Sequence, residues 1–536
     1  MPKISKSIQE AIHRGPARDL SAQEFDAVVI GGGASGGLAA LLLCEAGRKV
    51  LLLDAGPKPA FARRPWTNFI SAVTKYAATP EMFARLPAFM SNFGRKALRA
   101  VGLVRQPVQS RCFAWQMSPN SFVDDRDNPY SAVGDQDFTW FRTRQLGGRM
   151  IVPGHGRQYY RHAPIDFQAI DGLSPHWPFE PSALDPWYDM VEQRLQLSGT
   201  QNGVRDFPDS LITTPLSPTQ AEGALMKTLT QHWPSADVIL GTHAAPLNSV
   251  EQAAETGHLV IQQGAVVREI LTTDAGETHG VRFVDDETLK TVDVKAPLVF
   301  LCAGTLESTR ILMLSNEGQG LGGKSDALGA NIMDHVIMTV HGQGAPLAGG
   351  FTTLQPGRSV MLPRFDRREG GEGEGQRGYG VQLYQATQGH DASYFQAVSF
   401  TEMTPRSENR VELDETVKDR WGIPALRIRC ALNETERAIA QKQSLALQEI
   451  VSLLGISVSH IDTEPTPPGM AIHECGTARM GDDPSQSVLN PYNECWASKG
   501  LYVTDGSAFP SLGLQNPTLT IMALTARAVD HALNDQ

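Results

Sequence analysis

The sequence predicts an α/β protein whose central parallel sheet is assembled from segments far apart in the chain. Three observations carry this. Residues 26–56 read as strand, glycine turn, helix, strand and acid, in that order. A second strand–turn–helix recurs late, at 298–315. And 536 residues are enough for two or three domains around a large core.

The first unit opens with Ala27, Val28, Val29 and Ile30, a short apolar run suited to a buried parallel strand. Gly31, Gly33 and Gly36 follow at the spacing GxGxxG. The first glycine permits a tight turn, the second lets backbone approach a pyrophosphate, and the third lets helix and strand pack closely. Residues 38–44 form the helix body and Gly47 ends it. The N-terminus of that helix offers free N–H groups and partial positive charge to phosphates. A second strand over 50–53 finishes on Asp54, placed to accept hydrogen bonds from a ribose hydroxyl. No arginine adjoins Asp54 in sequence to meet a 2′-phosphate, and the motif itself does not choose between NAD and FAD.

Hydrophobic content of 41% and charged content of 20% are ordinary for a globular protein. A net charge of −11 argues against nucleic acid or an anionic membrane as a general partner. The six cysteines (Cys44, Cys112, Cys302, Cys430, Cys475 and Cys495) are scattered, so they read as reduced thiols, with no metal or iron–sulfur spacing among them. The first twenty residues lack an apolar h-region and read as no signal peptide, and the uncharged run 27–44 is broken by glycines. The expectation is a cytoplasmic protein that is not integral to a membrane; export with a partner subunit stays open.

Along the chain, residues 1–23 read as a loosely held arm. Residues 60–130, with an apolar helical stretch at 83–100, read as a cover over the nucleotide rather than a separate domain. A second glycine cluster follows at Leu146, Gly147, Gly148 and Arg149, suggesting backbone close to a ligand. Residues 178–199 read as a turn feeding a helix near Asp185 with Pro186 at its first position. Residues 258–270 are two short strands broken by Gly264, and 366–380 is a charged, glycine-rich surface loop. Residues 434–454 carry helical periodicity.

The last 70 or so residues concentrate the chemistry. They run His473-Glu474-Cys475-Gly476-Thr477-Ala478-Arg479-Met480-Gly481, then a strand over 501–504, then Asp505-Gly506-Ser507. Asn516-Pro517-Thr518 opens a final helix whose N-terminus is a second site for electron-rich groups.

With these motifs in family order (VIGGGASGG, LGGR, GAVVREI, VFLCAGTLESTRIL, LGANIMDH, HECGTARMG and VTDGSAF with QNPTLT), the sequence resembles the glucose–methanol–choline (GMC) flavoprotein oxidoreductases. It is nearest in wording to a bacterial branch of sugar and glycoside dehydrogenases and the gluconate dehydrogenase flavin subunit. The resemblance implies FAD as cofactor and no metal. It implies an FAD-binding domain from 1–163, 255–335 and 465–536, and an α+β substrate domain from 164–254 and 336–464 with a mixed or antiparallel sheet. On it, Gly31, Gly33 and Gly36 lie under the pyrophosphate, with Ala34, Gly147, Gly148, Ala303 and Gly304 also against the cofactor. Asp54 takes the adenosine ribose, Val267 the adenine, Asp505 the pyrophosphate and ribityl chain, and Asn516 and Thr518 the flavin ring. His473 matches the residue that takes the hydroxyl proton, and Asn516 its partner, His or Asn across the family.

The pairing is chemically sensible by itself. Hydride removal from an alcohol needs the hydroxyl proton to leave, and an imidazole is suited to accept it. A second hydrogen-bonding side chain fixes the oxygen. The implied reaction is oxidation of a CH–OH group, on a sugar or glycoside, by a dehydrogenase. The alternatives are an O₂-using alcohol oxidase and a non-redox lyase on the same fold. The electron acceptor (quinone, cytochrome or O₂) stays open. His155 does not fall at the family's covalent-attachment position, near Val152, so non-covalent FAD is expected. His335 reads as loop structure, with a place lining the site as the alternative, and Arg479 reads as a loop tie rather than a substrate contact.

Overall fold

The computed structural model describes residues 5–57, 105–115, 117–134, 136–152, 154–155, 157–169, 175–204, 207–349, 357–369, 378–388 and 391–534. The helical stretch expected at 83–100 lies outside these, as does most of the glycine-rich loop within 366–380.

Five strands form one all-parallel sheet: β1 (Ala27–Ile30), β2 (Val50–Asp54), β3 (Leu259–Gln263), β4 (Leu298–Leu301) and β5 (Leu501–Val503). Their spatial order is β5-β4-β1-β2-β3. β1, β2, β4 and β5 are buried along their whole length, which is why they read as unbroken apolar runs rather than alternating ones. The sheet is therefore discontinuous in sequence, as expected, and its C-terminal ends gather the turns after β1, β4 and β5. At the first turn Gly31 has φ +93°, and a Cβ there would stand 2.6 Å from the Cys302 carbonyl oxygen at the end of β4. The helix Ala34–Glu45 then packs so tightly on the turn that a Cβ at Gly36 would meet the Gly31 oxygen at 1.8 Å. Only glycine fits at these two positions.

A three-stranded antiparallel sheet (Ala265–Thr272, Thr278–Asp285 and Thr291–Lys295) extends from β3. The second large layer is a six-stranded antiparallel sheet. Its long strands are His335–Gly344, Gly380–Gln388 and Ala392–Glu402, and Ser457–Ile461 lies at one edge. The expected substrate-side sheet is thus antiparallel. The helix Glu434–Leu453 packs on it, started by a reciprocal cap between Asn433 and Glu436.

The N-terminal arm differs from its reading. After the helix Lys6–Ala11, Ile12 bridges to Ile261 of β3, the His13 N–H donates to the Ile261 carbonyl at 2.8 Å, and Leu20 is fully buried. The sparse apolar residues of the arm gave no periodicity by which to see this docking. No helix among the described residues is long and apolar enough to cross a membrane.

Candidate active site

A long cleft runs over the C-terminal ends of the parallel sheet. Its walls include Gly31, Gly33, Ala34, Asp54, Gly148, Val267, Ala303, Gly304, His473, Asp505 and Thr518. Of the other site residues read from the sequence, Gly36 sits behind the first turn as its support. Gly147 donates its N–H to the Gly32 carbonyl at 2.9 Å, pinning the second glycine loop to the first. Gly148 then faces Gly33 across the floor of the cleft, with Gly147 and Gly148 both at positive φ.

These walls fit a dinucleotide. Two glycine loops meet with no side chain between them, and the N-terminus of Ala34–Glu45 opens beside them. Asp54 is buried, which pushes its carboxyl up, against the pull of backbone N–H groups of Gly56 (2.7 Å) and Gly32 (3.0 Å) and of Arg144. Its carboxylate therefore braces the turn it lines. Asp505 does the same on the opposite wall: it accepts from the Gly304 N–H (3.0 Å), Ser308 (2.5 Å) and Ser507 (2.6 Å). Val267 lies in the wall on the strand Ala265–Thr272.

Beside Asp54 the cleft carries a charged cluster that the linear sequence did not reveal. Arg144, distant in sequence, acts on Asp54 and lies over Trp421 at 4.6 Å; Arg142 lies over Trp140 at 4.0 Å. Burial pushes Arg142 down to about 10. Burial would raise Glu307, but the guanidiniums of Arg144, Arg310 and Arg142 outweigh it and hold the carboxyl at about 2.

At the other end stands His473. His473 is half-buried in the cleft wall, and its backbone N–H donates to Asp334 Oδ1 at 3.0 Å. Asp334 also accepts from Gly469 (2.6 Å) and Ala471 (3.3 Å), so one buried carboxylate shapes the whole approach to the histidine. Burial and then the charge of Glu474 push Asp334 up to about 7. Glu474 is itself paired to Arg149 at 2.9 Å, and Arg149 also donates to the Ile472 carbonyl. Burial drives His473 well below the usual histidine range, with His335, Arg149 and His155 adding to it. These influences favour the neutral ring.

Two side chains meet the His473 ring nitrogens, and a third braces one of them. Asn516 Nδ2 is 3.4 Å from Nε2, and His335 Nδ1 is 2.8 Å from Nδ1. Gln382 donates to Asn516 Oδ1 at 3.3 Å. Of the two readings of His335, loop structure or a place lining the site, the structure supports the second: it is in direct contact with the candidate base. It follows Asp334 at the start of a long strand, a juxtaposition that only the tertiary fold creates. Gln382 and Tyr384 alternate on one strand, a pattern that was too short to separate from ordinary sheet patterning. Arg479, as expected, ties a loop, donating to the Gln486 carbonyl at 3.1 Å. His155 is buried against Phe113, 3.6 Å from Cys112 Sγ. All six cysteines are free and buried, and no group of metal-ligating side chains occurs among the described residues.

Comparison with known proteins agrees with this architecture. Residues 243–337 and 405–525 match the two family profiles described as GMC oxidoreductase, and residues 29–76 match one described as an NAD(P)-binding Rossmann-like domain. A 2-methyl-1,2-propanediol dehydrogenase of Mycolicibacterium austroafricanum is 26% identical, the match covering 95% of each chain. A C-glycoside 3-oxidase of Arthrobacter globiformis is 28% identical over 64% of this chain and 63% of its own. Among solved structures, pyridoxine 4-oxidase from Mesorbium loti superposes with a TM-score of 0.61 at 19% identity, over 95% of this chain and 99% of that one.

Proposed function

Since this chain belongs to the GMC oxidoreductases, FAD-binding enzymes, we propose that it oxidises a CH–OH group of a sugar or glycoside, as a dehydrogenase, with His473 as the base. The observation that carries the proposal is the place of His473 in the cleft wall, with Asn516 Nδ2 3.4 Å from its Nε2.

Bound FAD supplies a two-electron acceptor for the hydride that leaves the alcohol carbon. The glycine loops at Gly31–Gly33 and Gly147–Gly148 and the open helix N-terminus would hold its pyrophosphate, and Asp54 and Val267 its adenosine. His473 Nε2 takes the hydroxyl proton, leaving a carbonyl product once the C–H electron pair has gone. General-base help of this kind is worth roughly 10²–10⁴-fold. Asn516 donates toward the same oxygen and fixes which way the carbon faces. The N-terminus of Thr518–Asn534, its first residue in the cleft wall, favours negative charge there.

The substrate class is supported by the C-glycoside 3-oxidase relative, and dehydrogenase over oxidase by the diol dehydrogenase relative that matches end to end. An anaerobic titration of the yellow protein with D-glucose, D-fructose, a C-glycoside and 2-methyl-1,2-propanediol tests both. Bleaching by a sugar or glycoside, with slow return of colour on admitting air, is the expected result. Bleaching by the diol alone removes the sugar assignment, and rapid return of colour with peroxide makes the protein an oxidase. H473A should keep its FAD and be reduced at least about a hundredfold more slowly; reduction at wild-type speed removes His473 as the base.

A further inference from the structure

The hydrogen bonds around His473 have a direction. The Gly513 carbonyl lies 2.9 Å from His335 Nε2. A carbonyl oxygen only accepts, so that nitrogen carries a hydrogen. His335 is 3% exposed, and burial pushes it down to about 4, with His162 adding to the shift and Asp166 opposing it. Being neutral, it has a lone pair at Nδ1. Two lone pairs cannot face each other across 2.8 Å, so His473 Nδ1 carries the hydrogen and donates it to His335. A neutral imidazole has one N–H, which leaves His473 Nε2 bare.

A second chain of hydrogen bonds reaches the same nitrogen from the other side with the same polarity. Gln158 donates to the Tyr384 hydroxyl at 2.9 Å, and Tyr384 donates to Gln382 Oε1 at 2.8 Å. That fixes the Gln382 amide so its NH₂ meets Asn516 Oδ1, and hence Asn516 so its NH₂ meets His473 Nε2. A donor at that position suits a bare nitrogen and opposes a protonated one.

We propose that His335 is a positioning residue that locks His473 into the Nδ1–H tautomer, so that its basic Nε2 faces the cleft before any substrate arrives. The catalytic part of this rests on the assignment of His473 as base. When Nε2 takes the substrate proton, the Nδ1–H bond to His335 stays in place and strengthens, because its donor is now cationic. Neither ring has to turn. A wrong tautomer at a catalytic histidine is costly: it would present an N–H where a lone pair is required.

The tautomer can be observed without turnover. In the FAD-loaded protein labelled with ¹⁵N in its histidine rings, with H473Q used to assign the signals, His473 should show a protonated Nδ1 and a bare Nε2 at neutral pH. A protonated Nε2 overturns the proposal. Kinetically, H335L should slow anaerobic flavin reduction by D-glucose, D-fructose or 2-methyl-1,2-propanediol by about 10²-fold or more. H335Q, whose amide oxygen and nitrogen replace the acceptor and the donor, should recover to within about tenfold of wild type. Wild-type speed in H335L with slow H473A removes the role of His335 alone, whereas wild-type speed in both removes the base assignment itself. H335Q as slow as an FAD-loaded H335L also overturns the lock. Should H335L fail to hold FAD, the ¹⁵N spectrum of the unmutated protein still decides.

Discussion

A Cβ placed on Gly148 would stand 2.9 Å from the Cα of Gly33. The two glycines belong to loops more than a hundred residues apart, and their close approach makes the floor of the cleft. Gly148 also has φ +57° and Gly147 φ +91°, so the second loop is shaped by glycine as well as emptied by it.

Gly148→Ala should therefore push the loops apart and empty the protein of FAD. Content measured from the flavin absorbance of purified protein should fall at least about tenfold, equivalent to about 1.4 kcal/mol of binding. Gly223, in the helix Gln220–His232, has nothing within 4 Å of a built Cβ, and Gly223→Ala should leave FAD content unchanged. Equal FAD in both variants would show that the Gly33–Gly148 contact does not shape the cofactor site.

Glu307 sits among Arg142, Arg144 and Arg310, and its carboxyl is held at about 2 despite burial. A carboxyl depressed in the folded state stabilises the fold above its unfolded value, about 4.3, and that contribution is lost as pH falls toward the folded value. Glu307→Gln should melt several degrees below wild type at neutral pH, with the gap narrowing below about pH 4. Thermal melts followed by flavin fluorescence check this. A gap independent of pH would mean that the glutamate acts through packing rather than charge.

His473 is held well below the ordinary histidine range by burial, with His335, Arg149 and His155 adding to the effect. If His473 is the base proposed above, a proton affinity lowered in this way keeps it neutral, and competent, on the acid side of its usual titration. The rate of anaerobic flavin reduction should therefore be flat through about pH 6.5, the midpoint of an ordinary histidine, and fall only in more acid solution. Stopped-flow reduction across this range decides. A rate that halves near that midpoint would show that His473 is not held down in the loaded enzyme.

The glycine-lined half of the cleft was legible in the sequence because its signals are local. The run from Ala27 to Asp54 contains its own strand, turn, helix and acid, and Gly147–Gly148 announce themselves by composition. The charged cluster at Arg142, Arg144 and Glu307 was not legible, because its members converge only when the helix Thr305–Leu314 packs beside the second glycine loop. His335 follows a recognisable motif, but the sequence alone leaves it between loop structure and a place lining the site. Its importance lies in a 2.8 Å contact across 138 positions of sequence, and no periodicity encodes such a contact. The docked N-terminal arm escaped for a related reason: a backbone bridge at Ile12 and the buried Ala17 and Leu20 leave no pattern.

Asn516 permits a prediction of order as well as direction. Its Oδ1 accepts from Gln382 and its Nδ2 faces His473 Nε2, so its place calls for an acceptor on one side and a donor on the other. Histidine can meet both demands, and Asn516→His should be reduced within about tenfold of the wild-type rate. Alanine removes the donor and leaves the substrate oxygen unfixed, and Asn516→Ala should slow reduction by about 10–10²-fold. Aspartate is worse than alanine. Its carboxylate sets a second lone pair against Nε2, and the conflict is relieved only if that nitrogen takes up a proton, which removes the base. Asn516→Asp should accordingly be the slowest of the three and should gain activity as pH rises. Measured rates of flavin reduction in the order His, Ala, Asp would bear this out. Asp faster than Ala would mean that a bare Nε2 is not what Asn516 faces.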